Sequence, residues 1–196
     1  GRQSIGTAPA LARAVQERPE LRELAGQPLL LTMIALVHAG KGELPDHRAL
    51  LYAECIDLLL LRWRQAPDTP DLLAQLDLRD FHALDLLALM ARLGYAAHNL
   101  SVNAYLSDNA PARLTDAQVR RELTQAFAPY AGGDAERRDM LVARVLHRIA
   151  TRNGLLLKYS AEGAESYAFP HRSFQEFLAG YHLSRAPDYA VACAEH

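Results

Sequence analysis

This sequence predicts a mainly α-helical fold: a helical subdomain followed by a winged-helix-like subdomain that carries one small antiparallel β-hairpin. Three observations carry that prediction. Leu and Ala dominate a chain that is 50% hydrophobic, while Val, Ile and Thr are few, a bias that favours helices over strands. Apolar residues recur at helical spacing along most of the length. Near the C-terminal end, Gly154–Ser160 and Ser166–His171 read as two short strands joined by the Gly-containing turn Ala161-Glu162-Gly163-Ala164-Glu165.

The elements follow in order. Gly1–Gly6 carries no pattern. Ala8–Gln16 and Pro19–Ala25 form two short helical stretches, Pro19 suiting a first helical position. Gly26-Gln27-Pro28 breaks the second, and Pro28 opens a helix, Leu29–His38, apolar almost all round and so expected to be buried. Gly40-Lys41-Gly42 ends it. Pro45 is expected to start the next helix, to about Arg64, with Leu51, Cys55, Leu58 and Arg62 along one edge.

Pro67-Asp68-Thr69-Pro70 is the clearest joint, because proline removes N–H donors and blocks helix continuation. The expected division is residues 1–70 and 71–196. Phe81, Leu84, Ala88 and Ala91 mark a helix to about Ala97, and Asn99–Arg113 reads as loop. Thr115 and Gln118 have capping-box spacing for a helix ending near Phe127. Asp134 caps a longer helix with Leu141, Val142, Val145, Leu146 and Ile149 on one face, and Asn153-Gly154 ends it. A hairpin after that helix, with another helix behind it, is the order of a winged-helix domain.

That last helix is announced by Phe169-Pro170-His171-Arg172-Ser173-Phe174-Gln175-Glu176-Phe177-Leu178. Phe174, Phe177, Leu178 and Tyr181 fall at i, i+3, i+4 and i+7, which predicts one shared face. Ser173 and Glu176 have capping-box spacing, so Ser173 is the expected cap. His171 then stands two residues before the cap, where unpaired N–H groups and the positive end of the helix dipole suit an anion such as phosphate. The plainer reading is that His171 ends a strand and bonds a neighbouring backbone group.

Bulk properties exclude several classes. With 196 residues the chain can bury a real core as one domain or two. A formal net charge of −2 offers no electrostatic pull toward nucleic acid or an anionic membrane. Pro28–Val37 is too short for a spanning helix, which needs roughly 18 to 25 apolar residues, and no signal-peptide pattern opens the chain. Cys55 and Cys193 lack metal-site spacing, so a reducing, cytoplasmic setting without a disulfide is expected. Arg far outnumbers Lys, with Lys41 and Lys158 the only lysines. With abundant Ala, this points to a GC-rich bacterial source.

Catalytic machinery is not evident. Gly40-Lys41-Gly42 follows a helix, lacks the upstream glycine of a phosphate-binding P-loop, and has Gly42 where Ser or Thr should hold magnesium. No acidic pair follows a hydrophobic strand. The eight histidines show no zinc spacing, and no G-x-S-x-G elbow occurs. No catalytic residue and no metal ligand is therefore expected. A DNA-reading helix would be Asp134–Arg152, with Arg137, Arg138, Arg144, Arg148 and Arg152. Asp134, Glu136 and Asp139 offset part of that charge, and Glu162 and Glu165 on the wing would repel phosphate.

Two motifs resemble parts of NACHT-type NTPases, of the STAND class of signalling ATPases. Gln27-Pro28-Leu29-Leu30-Leu31-Thr32-Met33-Ile34-Ala35, followed by Leu44-Pro45 and Leu51-Tyr52, resembles the start of the family's helical domain 1. Phe169-Pro170-His171-Arg172-Ser173-Phe174-Gln175-Glu176-Phe177-Leu178-Ala179 is similar to its winged-helix signature. The resemblance implies that Pro28 packs beside the adenine of ADP, that His171 contacts the β-phosphate in the closed resting state, and that Thr32 borders the base. It also implies that a nucleotide-binding core with the P-loop and magnesium acids lies before Gly1. ADP or ATP would bind only with that partner domain, and no metal would bind this fragment. The expected function is an ADP-clamping switch module of a bacterial signalling ATPase, in defence or stress signalling, with nucleotide-dependent oligomerisation and no membrane partner. The alternatives are a DNA-binding regulator, which the charge disfavours, or a protein–protein adaptor using the arginine face of Asp134–Arg152.

Overall fold

A computed structural model describes residues 6–62, 76, 78, 80–103, 112–151, 154–161 and 163–186, without the side chains of 61, 62, 102 and 103. The chain forms two compact units, residues 1–59 and 60–196. The joint expected at Pro67–Pro70, the boundary near Asp71, and Arg152, Asn153, Glu162 and Cys193 lie outside the described residues. No described helix is long and apolar enough to cross a membrane.

The first unit is helical. Helix α1 (Ala8–Glu17) is capped by Thr7, whose hydroxyl accepts from the Ala10 N–H at 3.4 Å. Helix α2 (Pro19–Ala25) and helix α3 (Pro28–Lys41) both begin on proline, where the missing N–H costs nothing. Helix α3 runs past Gly40 and stops at Gly42, in the left-handed region at φ 82°, which a residue with a Cβ resists. Its expected all-round burial is corrected. Leu30, Met33, Ile34, Val37 and His38 are buried, whereas Leu31 is 41% exposed and Pro28 and Thr32 face outward.

Helix α4 (Arg48–Asp57) begins three residues later than Pro45 suggests. The Arg18 guanidinium accounts for the delay: it donates to the carbonyls of Pro45 at 2.7 Å and Asp46 at 2.9 Å, which would otherwise enter a first helical turn. A π-helical segment, Leu58–Arg62, continues from α4. Leu51, Tyr52, Cys55 and Ile56 are buried. Burial, with a smaller push from the Glu54 charge, drives the Cys55 thiol up to about 12. It is therefore a small buried hydrophobe and no nucleophile.

The second unit opens with helix α5 (Ala83–Asn103), longer than the helix to Ala97 expected from sequence. Ser101 belongs to it: its hydroxyl donates to the Ala97 carbonyl at 3.3 Å and accepts from the Gln175 amide at 3.1 Å. A tertiary contact thus extends a helix through residues that read as loop. Of the residues that mark this helix in the sequence, Phe81 and Ala91 are buried and Ala88 half-buried, whereas Leu84 is 66% exposed, and Leu86, Leu89, Met90 and Leu93 are buried beside them.

Strand β1 (Leu114–Thr115) leads into helix α6 (Asp116–Phe127). The Thr115 side chain accepts from the Gln118 N–H at 3.2 Å, and the Gln118 side chain accepts from the Thr115 N–H at 2.8 Å, closing the expected capping box. Asp134 caps helix α7 (Ala135–Thr151), accepting from the Arg137 N–H at 3.0 Å. Leu141, Val142, Val145, Leu146 and Ile149 of α7 are all buried, as their spacing predicts. Strands β2 (Leu157–Ala161) and β3 (Ala164–Ala168) form the wing, and helix α8 (Arg172–Ser184) follows.

The sheet order is β1-β3-β2, all antiparallel, with Leu114 opposite Tyr167 and Ala161 opposite Ala164. The hairpin turn is therefore tighter than the five residues expected, with Gly163 at φ 80° supplying the geometry that two-residue hairpin loops demand. Helix, strand, helix, helix and wing, with the first strand beside the third, make a winged helix.

Helix α8 lies along α5, and its buried face holds Phe174, Gln175, Leu178 and Ala179. This corrects the expected face: Phe177 and Tyr181 are only half-buried, on the flank. Gly94 sets the approach. A Cβ there would stand 2.5 Å from the Leu178 Cβ and 3.2 Å from the Ala179 nitrogen, whereas one at Gly180 would meet nothing within 4 Å. Both glycines are helical, so alanine offers each about 1 kcal/mol of propensity. At Gly94 the overlap outweighs it, since overpacking costs about 1–3 kcal/mol, occasionally more. Urea unfolding should show Gly94→Ala destabilising and Gly180→Ala stabilising, and shifts of the same sign would refute the packing argument.

Candidate functional site

The strand-to-helix junction in the second unit is built from Phe169, fully buried, and His171, whose extended backbone (φ −152°, ψ 142°) ends the strand path. Helix α8 starts at Arg172, so the cap is His171 and the expected Ser173 cap is corrected. The imidazole Nδ1 accepts from the Ser173 N–H at 3.1 Å, and the His171 carbonyl accepts from the Phe174 N–H at 3.1 Å. Glu176, expected to complete a box with Ser173, instead accepts from the Arg172 Nε at 2.8 Å. The imidazole nitrogen reaches the unpaired N–H that a serine oxygen would otherwise satisfy.

This geometry assigns the two ring nitrogens different tasks. An acceptor Nδ1 carries no proton, so the neutral ring holds its proton on Nε2. Any contact of this ring with an anion must come from Nε2–H. The ring is half-buried.

Pro28 and Thr32 belong to the first unit. They are one turn apart on the outward face of α3, and the Thr32 hydroxyl donates to the Pro28 carbonyl at 2.8 Å. The structure brings these two together, and His171 lies in the second unit. Lys41, in the sequence that mimics part of a P-loop, is ion-paired with Glu54.

The described α7 arginines are not equivalent: Arg137 and Arg144 are exposed, Arg148 is buried, and Arg138 pairs with Asp139 at 3.5 Å. On the wing, Lys158 is ion-paired with Glu165. The Arg113 guanidinium lies 4.2 Å from the centre of the Tyr159 ring, a cation–π contact. The two carboxylate partners, Asp139 and Glu165, offset charge that phosphate contacts would use.

Two groups that sequence reasoning missed are polar and buried. Gln175 is fully buried within the signature, where its side chain bonds both Ala112 and Ser101. Its place beside Phe174 on a helix is the available signal, since a buried amide demands partners. Tyr167 is buried, and its hydroxyl donates toward Asp116 Oδ1 at 3.2 Å, with Glu165 Oε2 at 3.4 Å. Burial, then the Asp116 and Glu165 charges, push this phenol from 10.0 up to about 12.

A group whose folded pKa is raised contributes stability that is present below its unfolded value and lost as pH rises through its folded one. Tyr167 should therefore add a loss of stability between pH 10.0 and about 12. Chemical unfolding across that window should show a smaller fall for Tyr167→Phe than for the parent chain. Equal falls would count against the shift.

A family model described as "Winged helix-turn-helix domain C-terminal to NACHT" matches residues 48–183, from the start of α4 nearly to the end of α8. No curated protein matches the chain.

Proposed function

Because this chain belongs to the family of winged helix-turn-helix domains C-terminal to NACHT, we propose that it is the regulatory half of a nucleotide switch, clamping ADP against the NACHT region that the family places before it. The observation that supports this most directly is the junction at His171. A half-buried imidazole has its Nδ1 pinned to the Ser173 backbone, which fixes the orientation of the ring at the helix N-terminus. A preset donor at a helix N-terminus, where the dipole also favours negative charge, suits a diphosphate.

In this reading Pro28 and Thr32 on the outward face of α3 border the adenine, and His171 holds the β-phosphate. Exchange of ADP for ATP removes the clamp, and the freed module swings away to permit oligomerisation in a defence or stress response. The switch is a two-state element biased by a ligand that binds one arrangement better. The P-loop and the magnesium-binding acids belong to the NACHT region, so the chain alone has no means of turning over ATP.

The direct test has two arms. The 196-residue chain alone should hydrolyse ATP no faster than buffer, and turnover abolished by a point substitution within it would overturn the assignment. The complete protein should retain ADP through purification. Nucleotide-free protein with an intact P-loop would count equally against the clamp.

A further inference from the structure

The second unit carries a trough that the nucleotide reading does not use. One concavity of about 390 Å³ is walled by α5, α6 and α8, and a second of about 230 Å³ adjoins it, sharing Arg92 and His182. The larger lobe falls within the roughly 300–1,000 Å³ typical of small-molecule sites. His171 lines neither lobe.

The polar lining is unbalanced. Arg92, Arg121 and Arg185 face the trough, and the lining offers one carboxylate, Glu122. That carboxylate is shared, with Arg92 Nη2 at 3.0 Å from one oxygen and Arg121 Nη2 at 3.2 Å from the other. Arg185 instead lies by the Tyr181 ring, 5.7 Å from its centre, and donates from Nη1 to the Tyr181 hydroxyl at 3.4 Å, with no carboxylate paired to it among the described residues. Three guanidinium groups against one carboxylate leave an excess of two positive charges over the two lobes together, with Arg121 in the larger, Arg185 in the smaller and Arg92 shared by both.

The remaining surface suits an organic body. His182 stacks on Tyr95 with ring centres 4.8 Å apart, and Ala96, Leu100 and Leu114 supply apolar lining to the larger lobe. Burial, then the Arg92 charge, lowers the His182 pKa against a smaller opposing pull from Glu122. The imidazole is thus biased toward its neutral form, and the guanidinium groups supply the attraction. Arg forks suit carboxylate and phosphate alike.

We propose that this trough is a binding site for a small organic dianion, a dicarboxylate or a phosphate monoester, held by Arg92, Arg121 and Arg185 beside the Tyr95–His182 stack. Such a ligand would bridge α5, α6 and α8, so its occupancy would brace the winged helix independently of the nucleotide.

The experiment is a titration of the isotope-labelled chain with succinate, with glycerol 3-phosphate and with neutral succinamide, following the His182 and Tyr95 ring resonances. At least one dianion should give saturable shifts in the millimolar range, and succinamide none. The Arg121 side chain is 62% exposed and Arg185 is exposed, so Arg121→Gln and Arg185→Gln leave the core intact. Each should weaken binding about tenfold, the loss expected for one charged hydrogen bond. Saturation by succinate alone or by glycerol 3-phosphate alone would identify which anion class the site takes. Linear shifts, equal shifts with succinamide, or unchanged affinity in the double variant would overturn the proposal.

Discussion

In the complete protein, His171→Ala should release ADP about 10- to 100-fold faster than the parent and favour activation without a trigger. Two losses combine in that variant. The helix loses its cap, worth about 1 kcal/mol, and the nucleotide loses a hydrogen bond to a charged acceptor, worth about 1.5–3 kcal/mol. His171→Asn separates them. Asparagine is among the best capping residues, so it can satisfy the Ser173 N–H that His171 Nδ1 now serves. Its shorter side chain has no counterpart to the imidazole Nε2. Stability should therefore return to within a few tenths of a kcal/mol of the parent while ADP release stays fast. Stopped-flow release of a fluorescent ADP analogue, beside a urea melt of each variant, reads both quantities. If His171→Asn restored slow release, the imidazole would be a cap and nothing more, and the clamp would have to be sought elsewhere.

How far the sequence carries the argument depends on whether a signal is local. The buried stripe of α7, the Thr115–Gln118 box and the Asp134 cap are decided by residues within a few positions of one another, and each was legible. Strand β1 was not, because its two residues become a strand only by pairing with Ser166 and Tyr167, far along the chain. The same holds for the end of α5, where Gln175 recruits Ser101 into the helix. Arg148 lies on the α7 face that the core takes up, yet arginines are usually read as solvated.

The site divides similarly. His171 stood out as a residue, and the plainer reading, a bond to a neighbouring backbone group, is present as the Ser173 N–H contact; that this bond makes it the cap was not legible, because Ser173 offered an equally good spacing and only backbone conformation separates them. Pro28 as a helix opener was readable from type and position. The exposure of Pro28 and Thr32 was not, since the surrounding run of Leu and Ile reads as buried on every side.

Gln175→Leu should be a damaging conservative change in the signature, costing about 1–3 kcal/mol of unfolding free energy with a near-isosteric side chain. Gln175 is fully buried. Its Oε1 accepts from the Ala112 N–H at 3.1 Å, and its Nε2 donates to the Ser101 hydroxyl at 3.1 Å. One amide therefore ties α8 both to the end of α5 and to the segment entering β1. Leucine fills the space but leaves the buried Ala112 N–H unsatisfied, at about 1–3 kcal/mol, while the half-buried Ser101 hydroxyl loses its donor and keeps its bond to the Ala97 carbonyl. The apolar gain from leucine is smaller, because an already buried site yields little new burial. Glu176→Ala provides the contrast at the next position. That carboxylate is exposed and paired with Arg172 across one helical turn, an arrangement worth about 0.3–0.5 kcal/mol. Adjacent residues of one motif should thus differ severalfold in cost, which a denaturant series resolves. Should Gln175→Leu match Glu176→Ala, the buried amide would not be the pin it is drawn as. A loss of ADP retention in Gln175→Leu at full stability would instead move Gln175 into the binding machinery.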